Sequence, residues 1–478
     1  MIQFKEFTRR CWAFVRHPPT ILFIFCLITL LELEESVQRA PTIRLLENAI
    51  CQRYYRDAQV DGPIDEFMCK DDLIQVKLAH IRGLLSLFDS LPLLIFGSAF
   101  GRIADRRGRR PAFALAVLGL LCSMGWIYLT CAFWKHIPVE VVWLSSLFRI
   151  IGGGPSIAIA MCLTMVSDLS DEANRSNSFY RVYSAVLVTD LIGPLITYGT
   201  LKHSLWLPYL VCALALLLTG PILQYMPETL LARPTSDDEE HTPLEPAGVR
   251  KYIQFLSDRR ILIGVVTIFL VQFRGNTIEI LLPYTSVRFG LEIGQSATLL
   301  SLVSAVNLVV FLVILPGVSA LLEKRAGWST TTINIYVARL SSALLVFGGA
   351  VLAAASTLGL VIFALIVYAA GFGVRLSILA VLTSFVNSAR DTGQLYTLVA
   401  TTDAIAHLIA SPLLQYVWSS ALKLGGRWIT LPFVVLTAIF FIAFLVSCLL
   451  EEKPVILEDG QNTDEEQEPL LENREDDA

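Results

Sequence analysis

The residues in this chain best suited to chemistry are charges set inside long apolar runs. Asp89, Asp190, Glu279 and Asp403 supply carboxylates, Arg149, Arg274, Arg339 and Arg375 supply guanidiniums, and His407 follows Asp403 by four positions. A charge in such surroundings is costly. It pairs with another group or faces a water-filled cavity, and it marks a path for ions or polar ligands. A carboxylate held in an apolar cavity can carry a proton near neutral pH, and histidine titrates in the same range. Asp403 and His407 share a helix face, so they read either as a proton relay or as a hydrogen-bonded pair that packs one helix. The arginines could together line an electropositive cavity for an organic anion. Arg274 and Glu279 are five apart and poorly placed to meet on one face. They pair with other segments instead, or flank a helix broken near Gly275. Glu32, Glu34 and Glu35 lie near the outer end of the first apolar run, where they are either solvated at the interface, the first expectation, or in part reach the cavity. Aromatics inside the runs, Tyr183 and Phe372 among them, could stack on a planar ligand or simply pack.

These groups need a frame that crosses a bilayer. The chain has 478 residues, 54% hydrophobic and only 17% charged, with a mean hydropathy of +0.61. Soluble domains carry about 25% charged residues. A membrane-spanning helix needs about 20 largely apolar residues. Twelve runs qualify: 19–37, 76–100, 111–134, 139–166, 179–200 and 205–226, then 261–287, 294–322, 333–355, 358–384, 394–420 and 428–450. The pattern predicts an all-α membrane protein with two six-helix bundles around a central cavity. The expected divisions are a leader (1–18), a first bundle (19–226), a polar linker (227–260), a second bundle (261–450) and an acidic disordered tail (451–478). Arginines and lysines cluster in the leader, in the loop after the second run and in the linker. Such clusters face the cytosol, so both chain ends are expected there.

That orientation puts Cys51 and Cys69, in the loop after the first run, outside the cytosol, where disulfides persist. They are either bridged or two free thiols. Glu466, Leu470 and Leu471 fit the acidic dileucine pattern read by sorting adaptors, or belong to a merely solubilising tail. The membrane is accordingly the plasma membrane or a vacuolar or endosomal one. No zinc-type cysteine spacing, phosphate-binding glycine loop, HExxH or GxSxG occurs. An enzyme, a metal site, a bound cofactor and a nucleic-acid partner are therefore not expected, and a monomer is.

The most specific motif is Gly101-Arg102-Ile103-Ala104-Asp105-Arg106-Arg107-Gly108-Arg109-Arg110. Gly101 would let backbones approach, Asp105 would sit in the arginine cluster and could face a helix N-terminus, and Gly108 would permit a tight turn. The order resembles the loop 2–3 signature of the major facilitator superfamily. The resemblance extends from about residue 20 to 450. It includes Arg149 to Gly154, the pair Gly193-Pro194 as a helix kink, Asp168 to Arg175, Pro227-Glu228-Thr229, and a degenerate second loop near Gly317. Thr189 and Thr197 stand where the antiporter motif has glycines. The chain looks most like fungal members near the tetracycline-efflux and proton-coupled folate carrier branches. The resemblance implies a conformational latch at Gly101, Asp105, Arg106, Gly108, Arg109 and Arg110. It also implies proton-driven, alternating-access transport of a small organic molecule, with export of drug-like or secondary-metabolite compounds expected first. Proton-coupled uptake of a nutrient or vitamin-like anion is the alternative, and a non-transporting membrane sensor is the alternative of another class.

Overall fold

The computed structural model describes residues 20–57, 64–170, 175–229, 256–386 and 389–451. Twelve long helical segments cross one another in two groups of six. The first group is α1 (Thr20–Asp57), α2 (Asp72–Arg107), α3 (Arg109–Ala132), α4 (Val139–Leu169), α5 (Arg175–Leu201) and α6 (Leu207–Tyr225). The second is α7 (Arg259–Phe289), α8 (Ile293–Ala326), α9 (Thr330–Ala354), α10 (Leu358–Ser384), α11 (Ala389–Leu424) and α12 (Gly426–Cys448). The groups meet chiefly along α2 with α11 and α5 with α8. Among the described residues, eleven helices are long and apolar enough to cross a membrane. The exception is α1, whose most apolar stretch carries three acids, Glu32, Glu34 and Glu35.

That first helix departs most from the sequence expectation. It continues twenty residues past position 37. The continuation carries Val37, Ala40, Ile43, Leu46 and Ile50 at helical spacing, and all are buried. Its charges had disguised it as a loop. Two corrections follow. Cys51 lies on a helix, not in a loop. Glu32 and Glu34 are not at the end of the run but in the body of a 38-residue helix, where they are 7% and 3% exposed.

Several helices are interrupted near their middles. In α4 a 3-10 turn at Arg149–Ile151 leads to Gly153 (φ 80°) and Gly154 (φ 76°), and Pro155 starts a fresh helix. Only glycine adopts such φ values at little cost, so the glycine run ends one helix beside Arg149 and starts the next. The α7 helix breaks at Gln272 between Val271 and Phe273. This is close to the break expected at Gly275. A π turn occupies Val310–Ile314 of α8, and a 3-10 turn occupies Gly371–Gly373 of α10. Interrupted helices at mid-depth free backbone groups where a transporter binds its cargo.

Arg339 has a structural post. Its guanidinium donates to the carbonyls of Ser447 (3.4 Å), Cys448 (3.0 Å) and Leu450 (2.8 Å), at the end of α12. The Ser447 and Cys448 carbonyls belong to the last turn of α12, at the negative end of its dipole. Arg339 is therefore committed to holding α9 on α12 and does not join an electropositive cavity. Arg339→Ala should lower stability by about 1–3 kcal/mol. Thermal unfolding of the purified protein would show that loss, and transport by the variant should stay near wild type.

Candidate functional site

A cavity of about 400 Å³ lies between α1, α2, α3, α4, α7 and α11. Its charged lining is Glu34, Glu35, Arg39, Arg82, Asp89, Arg149, Glu279 and His407. Four carboxylates thus face three guanidiniums and one imidazole. The pairing is local. Arg149 meets Asp89 at 2.8 Å, and Ser146 donates to the same carboxylate at 2.5 Å. Arg39 holds Glu35 at 3.1 Å and lies 3.9 Å from Asp190 of α5. Arg82 lies 3.9 Å from the Glu279 carboxylate and donates to its backbone carbonyl at 3.2 Å. Ser411 also donates to Glu279, at 3.4 Å. Glu34 is left over: its carboxylate has no hydrogen bond or ion pair to any described residue.

The second bundle settles its charges differently. Arg274 donates to Asn307 of α8 at 2.8 Å, and its guanidinium lies 5.7 Å and 5.3 Å from the rings of Tyr368 and Phe372. Arg274 and Glu279 therefore pair with other helices. Arg375 forms a hydrogen-bonded ion pair with Asp403. The Nε2 of His407 meets the Gln272 amide at 2.8 Å, at the break in α7. Asp403 and His407 share a face but do not bond to each other. The carboxylate is drawn to a guanidinium, which gives a stronger charge-assisted bond, and the imidazole turns toward the broken helix. A direct relay between the two is not formed. Tyr183 of α5 stacks near Phe372 (6.2 Å) and edges onto Phe311 of α8 (5.0 Å), which joins the two bundles by aromatic contact.

The α2–α3 turn is a second charged assembly. Asp105 accepts from Arg109 at 2.6 Å, and Arg109 Nε donates to Asp168 of α4 at 3.4 Å. Glu228, just beyond α6, accepts from the backbone N–H groups of Arg109 (3.0 Å) and Arg110 (3.3 Å). Glu228, rather than Asp105, faces the α3 N-terminus. Asp105 sits on the last turn of α2 and reaches the Arg109 side chain first. The signal for Glu228 was the Pro227-Glu228-Thr229 close of the sixth run. Gly108 takes φ 102°, and a Cβ there would stand 2.6 Å from Glu228 Oε2. Arg110 also donates to the Gln224 carbonyl at 3.3 Å, and Arg106 is exposed. Gly101 does not mediate close packing, because no described residue of another helix comes within 4 Å of where its Cβ would be.

The helix α5 runs through Gly193-Pro194 without a break. Gly193 serves close approach: a Cβ there would lie 2.6 Å from Ser36 Cβ on α1, and Thr197 donates to the Val37 carbonyl at 3.0 Å. Cys51 and Cys69 are joined by a disulfide, with Cα atoms 5.3 Å apart. Glu466, Leu470 and Leu471 lie outside the described residues. No group of three or more metal-ligating side chains occurs among the described residues.

Residues 79–411 match the profile of the Major Facilitator Superfamily. The chain belongs to that superfamily. This major facilitator protein is 31% identical over 422 residues to the MFS efflux pump atnC of Emericella nidulans, an alignment that covers 85% of this chain and 82% of that one. It is 25% identical over 372 residues to the class B tetracycline resistance protein of Escherichia coli, covering 76% and 84% of the two chains. A D-xylose–proton symporter superposes with a TM-score of 0.64 at 14% identity, over 90% of this chain and 98% of that one, which shows a shared fold. The protein is a multi-pass membrane transporter of small organic molecules, built on the major facilitator fold.

Within that fold the Asp89–Arg149 pair is testable by a double-mutant cycle. Asp89→Ala leaves a guanidinium unpaired in a low-dielectric cavity and should cost about 3 kcal/mol. Adding Arg149→Gln should recover part of that loss, read as thermal stability of the purified variants.

Proposed function

We propose that this transporter exports drug-like or secondary-metabolite compounds in exchange for protons. Glu34 carries the reading. It lines the cavity, it is 3% exposed, and it is the cavity carboxylate that no cation claims. Each of the other carboxylates lining the cavity, Glu35, Asp89 and Glu279, has an arginine partner, whereas Glu34 is at liberty to exchange a proton as access to the cavity changes. The efflux and resistance named for the two relatives support the direction of transport. The anion-uptake alternative needs free guanidiniums, yet Arg149 is held by Asp89, Arg339 by α12 and Arg375 by Asp403, which leaves Arg274, on the neutral Asn307, as the one of the four with neither a carboxylate nor a helix end.

In this reading the bundles rock about the cavity. The assembly of Asp105, Arg109, Asp168 and Glu228 latches the arginine-bearing face during the cycle. That face, both chain ends and the linker are cytosolic, and the disulfide face is not. A proton gradient drives transport with no bound cofactor. The protein works as a monomer, in the plasma membrane or in a vacuolar or endosomal membrane reached through tail-binding sorting adaptors.

The test is accumulation of fluorescent, toxic aromatic compounds in cells with and without the protein. Export predicts lower accumulation, abolished by a protonophore. Higher accumulation that is also protonophore-sensitive would make the protein an importer. Glu34→Gln should eliminate gradient-driven efflux in vesicles while substrate–substrate exchange continues. Asp105→Ala should slow both several-fold at unchanged expression.

A further inference from the structure

The face opposite the arginine loop holds a second buried set of charges that neither cavity nor latch uses. Glu66 opens the 3-10 turn Glu66–Lys70, and the disulfide ties Cys69 of that turn to Cys51 of α1. One Glu66 oxygen accepts from Lys70 at 3.1 Å and from the backbone N–H of Ile293 at 2.9 Å, and the other lies 2.9 Å from Arg44 Nε in an ion pair. Behind it, Glu47 accepts from Lys70 (2.7 Å), Arg44 (3.2 Å) and Gln75 (2.6 Å). The side chains of Arg44, Glu47, Glu66 and Lys70 are at most 17% exposed.

Every member of this set belongs to the first bundle except Ile293, the first residue of α8. The α8 N-terminus already has a capping box between Glu292 and Gln295. Glu66 is an additional acceptor delivered to it from the other bundle, where an anion is favoured by the helix dipole. Two acids and two bases make the set neutral without Ile293. When Glu66 leaves the helix end it keeps Arg44 and Lys70, so parting strands no charge and breaks one hydrogen bond. A cavity of about 180 Å³, lined by Arg44, Glu66, Lys202, Glu292 and Gly294 among others, adjoins the contact and gives water room to replace it. The bundles touch beside it, where Gly294 faces Leu201 and Tyr198.

We infer that Glu66 is a positioning residue of the transport cycle: held in place by the Cys51–Cys69 bond, it clamps α8 and keeps the disulfide-side mouth shut until it releases Ile293. The clamp is strong enough to bias the closed state and weak enough to open on each turnover.

The experiment uses the full chain in lipid nanodiscs, with both faces accessible and neither substrate nor pH gradient present, so its outcome is independent of what is carried and in which direction. The seven cysteines other than Cys51 and Cys69 are replaced by alanine, the disulfide is retained, and Gly294→Cys reports opening by its rate of maleimide labelling. Glu66→Ala should raise that rate about 10-fold, the factor expected for one charge-assisted hydrogen bond. Glu66→Gln, which keeps an acceptor for Ile293, should raise it less than half as much. The double variant Cys51→Ala with Cys69→Ala should label like Glu66→Ala. An unchanged rate in Glu66→Ala would overturn the clamp. So would equal rates in Glu66→Ala and Glu66→Gln, because the helix-capping bond would then not be what holds the mouth closed.

Discussion

A charge inside a membrane protein must find its counter-charge close by, because neither lipid nor packed side chains will solvate it. Much of the arrangement here answers that demand. Asp89 has Arg149, Glu35 has Arg39, Asp403 has Arg375, and Arg274 rests on Asn307 and two aromatic rings. Each pair joins two turns or two helices, so neutralising the charges also fixes how the helices pack. Glu34 gains its interest from this background of satisfied neighbours.

The helix interruptions belong to the same logic. A continuous helix buries all its backbone polar groups in its own hydrogen bonds. The breaks beside Arg149, at Gln272 and at Gly371–Gly373 release that constraint at mid-depth. Arg149 and the Gln272–His407 contact sit beside two of these breaks, and Arg274 lies two residues beyond the second.

The twelve helices and the arginine turn were legible in the sequence because hydropathy and the order of glycine, aspartate and arginine report on local requirements. The partners of the intramembrane charges were not. Spacing along a helix told that Asp403 and His407 share a face, but a guanidinium from α10 and an amide from α7 decide whom each one meets. Glu32 and Glu34 were misplaced for a related reason: their helix runs on through charged residues whose buried apolar face shows only once neighbours are packed on it. Gly101 and Gly193 show the same limit in small compass. Both are glycines in motifs, yet one faces open space and the other lets α1 and α5 touch at Ser36.

Glu228 ties two distant stretches of chain into one mechanical element. It follows α6 directly, and it grips the first backbone groups of α3. The chain that departs toward the second bundle is thereby anchored on the arginine turn itself. A single carboxylate thus fastens the exit of the sixth helix to the entrance of the third.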